Sequence, residues 1–313
     1  MKTLGLLLVG AAALALTSGA QAADMVPTYK APPPEVPAVS GYLGLYWGAD
    51  LWNDGLSDAP RTRGTAFAYG GEGRLNYWLS PGMSFQVDVE AEATTRFSGA
   101  RLATNDDDGR LSGVFGGHLS WRNPQYLYGV FGALSYANNM GEEGSMHHGI
   151  VGVEAQAYWN NFTLYGQAGG AFVFGSPGAE DVPMNLWFVR GVGRYFVTQN
   201  DKLQGQVGYA RLGDALGEGS GSRTGDIWNW GFLYEHRFVV PISVFAEYAG
   251  YQFRGGHGCL NRPTNNVFTV GAKFYFNENT LLANDRKGAT LDMPKFPRAL
   301  PWADTANDCF GAL

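Results

Sequence analysis

From Gly41 to Phe276 the sequence runs in strings of about ten to fourteen residues in which apolar side chains alternate with polar or small ones. That is the period of a β-strand with two different faces. Twelve such strings can be drawn, at 41–52, 65–79, 83–97, 110–121, 126–136, 148–159, 162–174, 185–197, 203–212, 226–238, 242–253 and 265–276. In the third, Met83, Phe85, Val87, Val89, Ala91 and Ala93 share one face, while Ser84, Gln86, Asp88, Glu90, Glu92, Thr94 and Arg96 share the other. In the tenth, Trp228, Trp230, Phe232 and Tyr234 share the apolar face, and in the last Phe268, Val270, Ala272, Phe274 and Phe276 do. The strings at 126–136, 162–174 and 203–212 alternate less cleanly.

The connections between strings alternate in length. Short ones fall at Ser80-Pro81-Gly82, Arg122 to Gln125, Asn160-Asn161, Thr198 to Lys202 and Val239 to Pro241, with longer polar loops between them. The seven prolines of the region, Pro60, Pro81, Pro124, Pro177, Pro183, Pro241 and Pro263, all lie in connections, as they must if the strings are paired strands that need every N–H. Tyr77, Trp78, Trp121, Tyr126, Trp159, Phe162, Phe238 and Phe276 flank the short turns, where an aromatic girdle would meet a membrane interface. An even strand number with short turns at one end and long loops at the other is the pattern of an outer-membrane barrel. The expected fold is therefore all-β: a transmembrane antiparallel up-and-down β-barrel of about 12 strands, with both termini on the periplasmic side.

The flanks fit that location. Lys2, the apolar run Leu4 to Leu16 and Ala20-Gln21-Ala22 form the three parts of a secretory signal, so residues 1–22 are expected to be removed. Residues 23–40 carry five of the 15 prolines and read as a Pro-rich periplasmic spacer. The barrel takes residues 41–276, and residues 277–313 follow it as a periplasmic tail or plug, too apolar for a plain linker at Leu281, Leu282, Phe296, Trp302 and Phe310. Charged residues make up only 16% of the chain against about 25% in typical soluble domains. The net charge of −6 gives no footprint for nucleic acid. Two cysteines, Cys259 and Cys309, are no disulfide framework, although one bond between them is conceivable if the tail passes through the pore. No Cys/His cluster has zinc-site spacing, and no metal or cofactor is expected.

The last string ends Thr269-Val270-Gly271-Ala272-Lys273-Phe274-Tyr275-Phe276. It resembles the carboxy-terminal insertion signal of bacterial outer-membrane barrels, which is polar, x, Gly, x, x, hydrophobic, x, aromatic. With the mature start AADMVPTYKAPPPEVPAVS, the chain resembles the small porin-like outer-membrane β-barrel family of Gram-negative bacteria. The resemblance implies Thr269, Gly271, Phe274 and Phe276 as contacts for the barrel-insertion machinery, outer-membrane lipid as the surrounding partner, and small polar solutes or ions as cargo. Small members commonly have eight strands and stop at the terminal aromatic, whereas 37 residues follow Phe276 here.

Alternation places Asp50, Glu72, Asp88, Glu90, Glu92, Glu154, Glu235 and Glu247 in the lumen with Arg74, Arg96, Arg110, Arg190, Arg194, Arg237 and Lys273. Such charges either pair and hold a narrow barrel rigid or line a water-filled path. Strands 3 and 8 lie five apart in a ring of 12, so Asp88, Glu90 and Glu92 are expected to face Arg190 and Arg194 across the pore, a transverse field suited to small polar or zwitterionic solutes. The expected function is a narrow passive pore or a structural envelope protein, without catalysis. A surface-recognition or adhesion barrel is the alternative, on loops carrying Trp52, Asp54, Asp58, Arg61, Arg63, Glu180, Asp181, Glu218 and Arg223. A lipid-modifying hydrolase is the second. Its candidates are His118 with Ser120, for which no orienting carboxylate is evident, and His147-His148 near Glu142 and Glu143, read as a solvated loop. The run Asn105 to Gly109 fails as a calcium loop, because the frame needs an acid at Phe115.

Overall fold

A computed structural model describes residues 38–53, 63–95, 110–138, 145–175, 185–213, 225–255 and 264–294. Twelve antiparallel strands follow one another: β1 (Val39–Asn53), β2 (Arg63–Ser80), β3 (Met83–Thr94), β4 (Arg110–Arg122), β5 (Tyr126–Asn138), β6 (Ser145–Trp159), β7 (Phe162–Gly175), β8 (Asn185–Thr198), β9 (Asp201–Gly213), β10 (Gly225–Arg237), β11 (Ile242–Gly255) and β12 (Thr264–Phe276). Each pairs with the next, and β12 returns to β1 with Gly41 opposite Phe276 and Asn53 opposite Thr264, so the sheet closes into a barrel without a free edge. The only described helix is α1 (Leu281–Lys287), and no described helix is long and apolar enough to cross a membrane.

Strand alternation decides which face meets what. Along β12, Phe268, Val270 and Phe274 point outward and lie exposed, while Thr269, Lys273 and Tyr275 point into the lumen and are buried. β3 likewise buries Ser84, Gln86, Asp88, Glu92 and Thr94 and exposes Phe85 and Val89. A continuous belt of exposed Leu, Val, Phe, Tyr and Trp thus covers the outside, which only lipid can satisfy at this extent. Aromatic rings collect at both rims. Trp121 stacks on Tyr128 (5.9 Å) and Trp159 on Phe162 (6.1 Å) beside the short turns, while Trp187, Tyr209 and Trp228 form a row (5.3 and 4.9 Å) toward the long connections.

The short turns follow their residues. Asn160 has φ 44°, the left-handed conformation that the two-residue hairpin Asn160-Asn161 requires and that asparagine tolerates. Pro81, Pro124 and Pro241 sit between strands. Gly271 has no room for a side chain, because a Cβ there would run into the Leu45 carbonyl oxygen and come within 2.7 Å of the Phe245 ring.

Several expectations change at strand ends. β1 begins at Val39, so the last two residues assigned to the spacer are barrel. β3 ends at Thr94, and Arg96 lies outside the described residues. Arg122 and Lys202, assigned to turns, belong to β4 and β9 and face the lumen. Trp52 is not a loop residue; it is the penultimate residue of β1 on the inward face, 2% exposed, its ring centre 6.3 Å from that of Phe253. Trp78 is not part of the girdle but turns to the lumen edge, where its Nε1 donates to the Lys287 carbonyl (2.9 Å). His147 and His148 lie in β6, not in a loop, and His148 is buried.

Candidate functional site

Just past the terminal aromatic, the chain turns back on itself. Asn277 adopts φ 63°, a left-handed conformation accessible to asparagine but strained for a β-branched residue, and its Nδ2 donates to the Val39 carbonyl at 2.8 Å. Thr280 then caps α1, its Oγ1 accepting from the Ala283 N–H at 3.0 Å. After Gly288 the chain runs without regular structure as far as Pro294, and it runs inside the barrel. Replacing Asn277 by valine removes one hydrogen bond and forces a β-branched residue into this conformation, a cost of about 1–2 kcal/mol, whereas glycine is tolerated. Urea midpoints of the refolded variants, checked for an unchanged slope, measure the difference.

Lumen side chains hold this segment along its length. Arg122 donates through both terminal nitrogens to the Gly288 carbonyl, each at 3.3 Å. Gln86 brackets Leu291 as a neighbouring strand would, donating Nε2 to its carbonyl (2.7 Å) and accepting its N–H on Oε1 (3.2 Å). Tyr165 and Gln167 both donate to the Asp292 carbonyl, at 3.3 and 2.8 Å. Arg286 donates to the carbonyls of Asn160 (2.8 Å) and Phe162 (3.2 Å).

Apolar anchors alternate with these bonds. Leu281 packs with Tyr42, Phe196 and Tyr275, and Leu291, 0% exposed, with Leu127, Tyr158, Tyr165 and Val192. Met293 joins a layer of Trp52, Phe131, Ile150, Leu186, Phe188, Ile227, Tyr251 and Phe253 in the half of the lumen nearer the long connections. A side chain at Gly116 would collide with the Met293 methyl, with Ala133 and with the Gly132 carbonyl, so the wall is hollowed where the segment needs space.

Two carboxylates of the segment answer two lumen arginines. Asp285 meets Arg194 at 2.9 Å and also accepts from Thr163 (2.6 Å) and Thr290 (3.0 Å). Asp292 meets Arg190 at 2.8 Å and Arg194 at 3.6 Å. Burial opposes the ionisation of both, but Arg190, Arg74 and Arg194 outweigh it at Asp292 and hold that carboxyl well below the usual carboxylate range, and at Asp285 Arg194 and the Thr163 hydroxyl lower it. Arg190 and Arg194 therefore do not look across open water at Asp88, Glu90 and Glu92, because the C-terminal segment stands between and supplies their counter-ions. Asp88 instead meets Arg74 at 3.5 Å and His118 at 3.4 Å, and the Glu90 carboxylate accepts from the Tyr46 hydroxyl at 3.1 Å.

His118 lies in a fully enclosed cluster. Its Nδ1 is 2.7 Å from Glu154, and Glu154 accepts from the Tyr165 hydroxyl at 2.6 Å. Two carboxylates thus flank an imidazole for which the sequence suggests none. Ser120 is hydrogen-bonded to Ser84 at 3.0 Å rather than to His118, so these two do not form a nucleophile and base pair. Among the described residues no group of three or more His, Cys, Asp or Glu could hold a metal ion. Cys259, Cys309, the acidic run at 105–109 and most of the loop residues named above lie outside the described residues.

A cavity with about 50 Å³ of space for water-sized molecules, partly open to solvent, remains beside the segment. The barrel lines it with Tyr42, Glu72, Arg74, Arg194, Lys202, Gln204, Leu233, Glu247, Lys273 and Tyr275, and the segment closes it with Leu281, Asn284, Asp285, Ala289, Thr290 and Asp292. Lys273 meets Glu72 at 2.9 Å, and Lys202 meets Glu235 at 2.7 Å. Glu235 also accepts from Ser243 (2.6 Å) and Tyr275 (2.7 Å). The participation of Arg122, Lys202 and Gln204 has one sequence signal, the parity of strands extended by one or two residues; that of Asp285 and Asp292 has none.

No protein-family model and no curated protein matches the sequence. Among solved structures the chain is similar to an outer-membrane channel from Pseudomonas putida F1, at 13% identity over 79% of this chain and 100% of that one, with a TM-score of 0.58. Weaker similarities include a FadL homologue of Pseudomonas aeruginosa, at 9% identity over 76% and 90% of the two chains with a TM-score of 0.43. Another is the TodX monoaromatic hydrocarbon channel in a mutant form, at 7% identity over 78% and 90% with a TM-score of 0.42. The closed even-stranded barrel, its lipid-facing belt and rim aromatics, and the shared fold identify the chain as an outer-membrane β-barrel.

Proposed function

We propose that the protein is a narrow passive channel for small polar solutes or ions, restricted by its own C-terminal segment, which acts as a fixed plug. The observation that carries this reading is the polar cavity left beside the segment in the lumen. Its wall carries Arg74, Arg194, Lys202 and Lys273 against Glu72, Glu247, Asp285 and Asp292, a mixed-charge lining that keeps water and small polar groups favourable. The apolar layer around Met293 lies toward the long-connection end and resists wetting, so ion flow through the intact protein is small. In the same reading Thr269, Gly271, Phe274 and Phe276 present β12 to the barrel-insertion machinery before β12 closes onto β1.

Refolded mature protein in planar bilayers tests the proposal. Small, discrete conductance steps are expected from the full chain. Silence from both the full chain and one ending at Phe276 retires the channel reading in favour of a structural barrel.

A further inference from the structure

The unused hydrogen-bond capacity around the cavity lies mainly with donors. Most of its acid oxygens are engaged: Glu72 receives the Tyr42 hydroxyl (3.1 Å) and Lys273 (2.9 Å), Asp285 receives Arg194 and two threonines, and Asp292 receives Arg190 on Oδ2, its Oδ1 lying 3.6 Å from Arg194 without a hydrogen bond. The donors are not used up. Arg74, with five N–H groups, reaches only Asp88 at 3.5 Å and Glu72 at 3.7 Å, and lies 5.3 Å from the centre of the Tyr42 ring. Lys202 spends one of three donors on Glu235. Lys273 spends one on Glu72, with Glu235 at 3.9 Å. Gln204 engages Arg194 through its oxygen, leaving its amide nitrogen.

These four side chains come from β2, β9 and β12 and line the same space. Resting on the reading of this cavity as the solute path, we infer that it is a binding site for a small monocarboxylate. A carboxylate brings four acceptor positions and no donors, the complement of the spare donors in the wall. One negative charge suits the site better than two, since Glu72, Glu247 and Asp292 stand in the same wall and repel a dianion such as phosphate. Tyr42, Tyr275, Leu233 and Leu281 provide apolar surface for the carbon body.

Isothermal titration of the full refolded protein in an uncharged detergent at low salt tests this, with lactate, lactamide and inorganic phosphate as probes. Lactate is expected to bind at one saturable site, lactamide not at all, and phosphate at least ten-fold more weakly. In Arg74→Gln, with folding verified by unchanged heat-dependent gel mobility, lactate affinity is expected to fall at least ten-fold. Absence of lactate binding, equal binding of lactamide, phosphate binding as tight as lactate, or an unaffected Arg74→Gln each overturns the site. The wild-type probe comparison decides the matter even if the variant fails to fold. Conductance steps from the same preparation separate the two claims: steps without lactate binding sink the carboxylate site and leave the channel standing.

Discussion

Asp292→Ala is expected to destabilise the barrel by about 3–5 kcal/mol, the cost of removing one partner from a buried ion pair and leaving the other charged and unpaired. Arg190 meets Asp292 at 2.8 Å, and its remaining partners, Gln167 (2.9 Å) and Gln206 (2.5 Å), are neutral. The double variant Arg190→Met with Asp292→Ala is expected to lose less than the sum of the single changes, because it leaves no orphaned charge. Urea unfolding of the four proteins reads the coupling. Acid has the opposite expectation. The carboxyls of Asp285 and Asp292 are held below their unfolded values, so their contribution is present in full above the ordinary carboxylate range and is lost only as pH falls through the depressed folded values. The docked segment should therefore be unchanged from neutral pH down to about pH 4, near the ordinary carboxylate value.

Ending the chain at Phe276 is expected to raise single-channel conductance roughly several-fold and to lower the unfolding midpoint at the same time. The truncation removes Asp285 and Asp292 from Arg194 and Arg190, the Leu291 backbone from Gln86, and Leu281, Leu291 and Met293 from their pockets. Water entering the lumen solvates the freed arginines and moderates their cost, but it cannot replace the apolar contacts, and Leu291 alone accounts for about 2–5 kcal/mol on the scale of buried leucine truncations. A rise in conductance without loss of stability would mean that the segment sits loosely. A loss of stability without a rise would mean that the remaining apolar wall closes the pore unaided.

Much of the fold was legible because a barrel strand must satisfy lipid on one side and the lumen on the other, and β3 and β12 record this residue by residue. Where alternation weakened, as in β5, the structure gives the reason. The lumen is itself apolar toward the long connections, so inward Phe131 alternates with outward Val130 and the period fades. The same holds across β6 and β8, where Ile150, Leu186 and Phe188 point inward beside outward Val151, Trp187 and Val189. Alternation also selects lumen-facing charge but not its partners. Arg190 and Arg194 find theirs about one hundred residues along, in a stretch with neither strand nor heptad period, and nothing in Asp285 or Asp292 distinguishes them from solvated acids. His118 was misjudged for a related reason: Glu154 lies two strands away, a neighbour only once β4, β5 and β6 have paired.

Hydrogen exchange of the refolded full-length protein tests most directly the claim that the C-terminal segment is an integral part of the lumen. The amides of residues 281–293 are expected to exchange as slowly as those of the strands, with the Leu291 N–H, bonded to Gln86, among the most protected. Exchange of these amides at the rate of an unstructured peptide, with the strands protected, would contradict it.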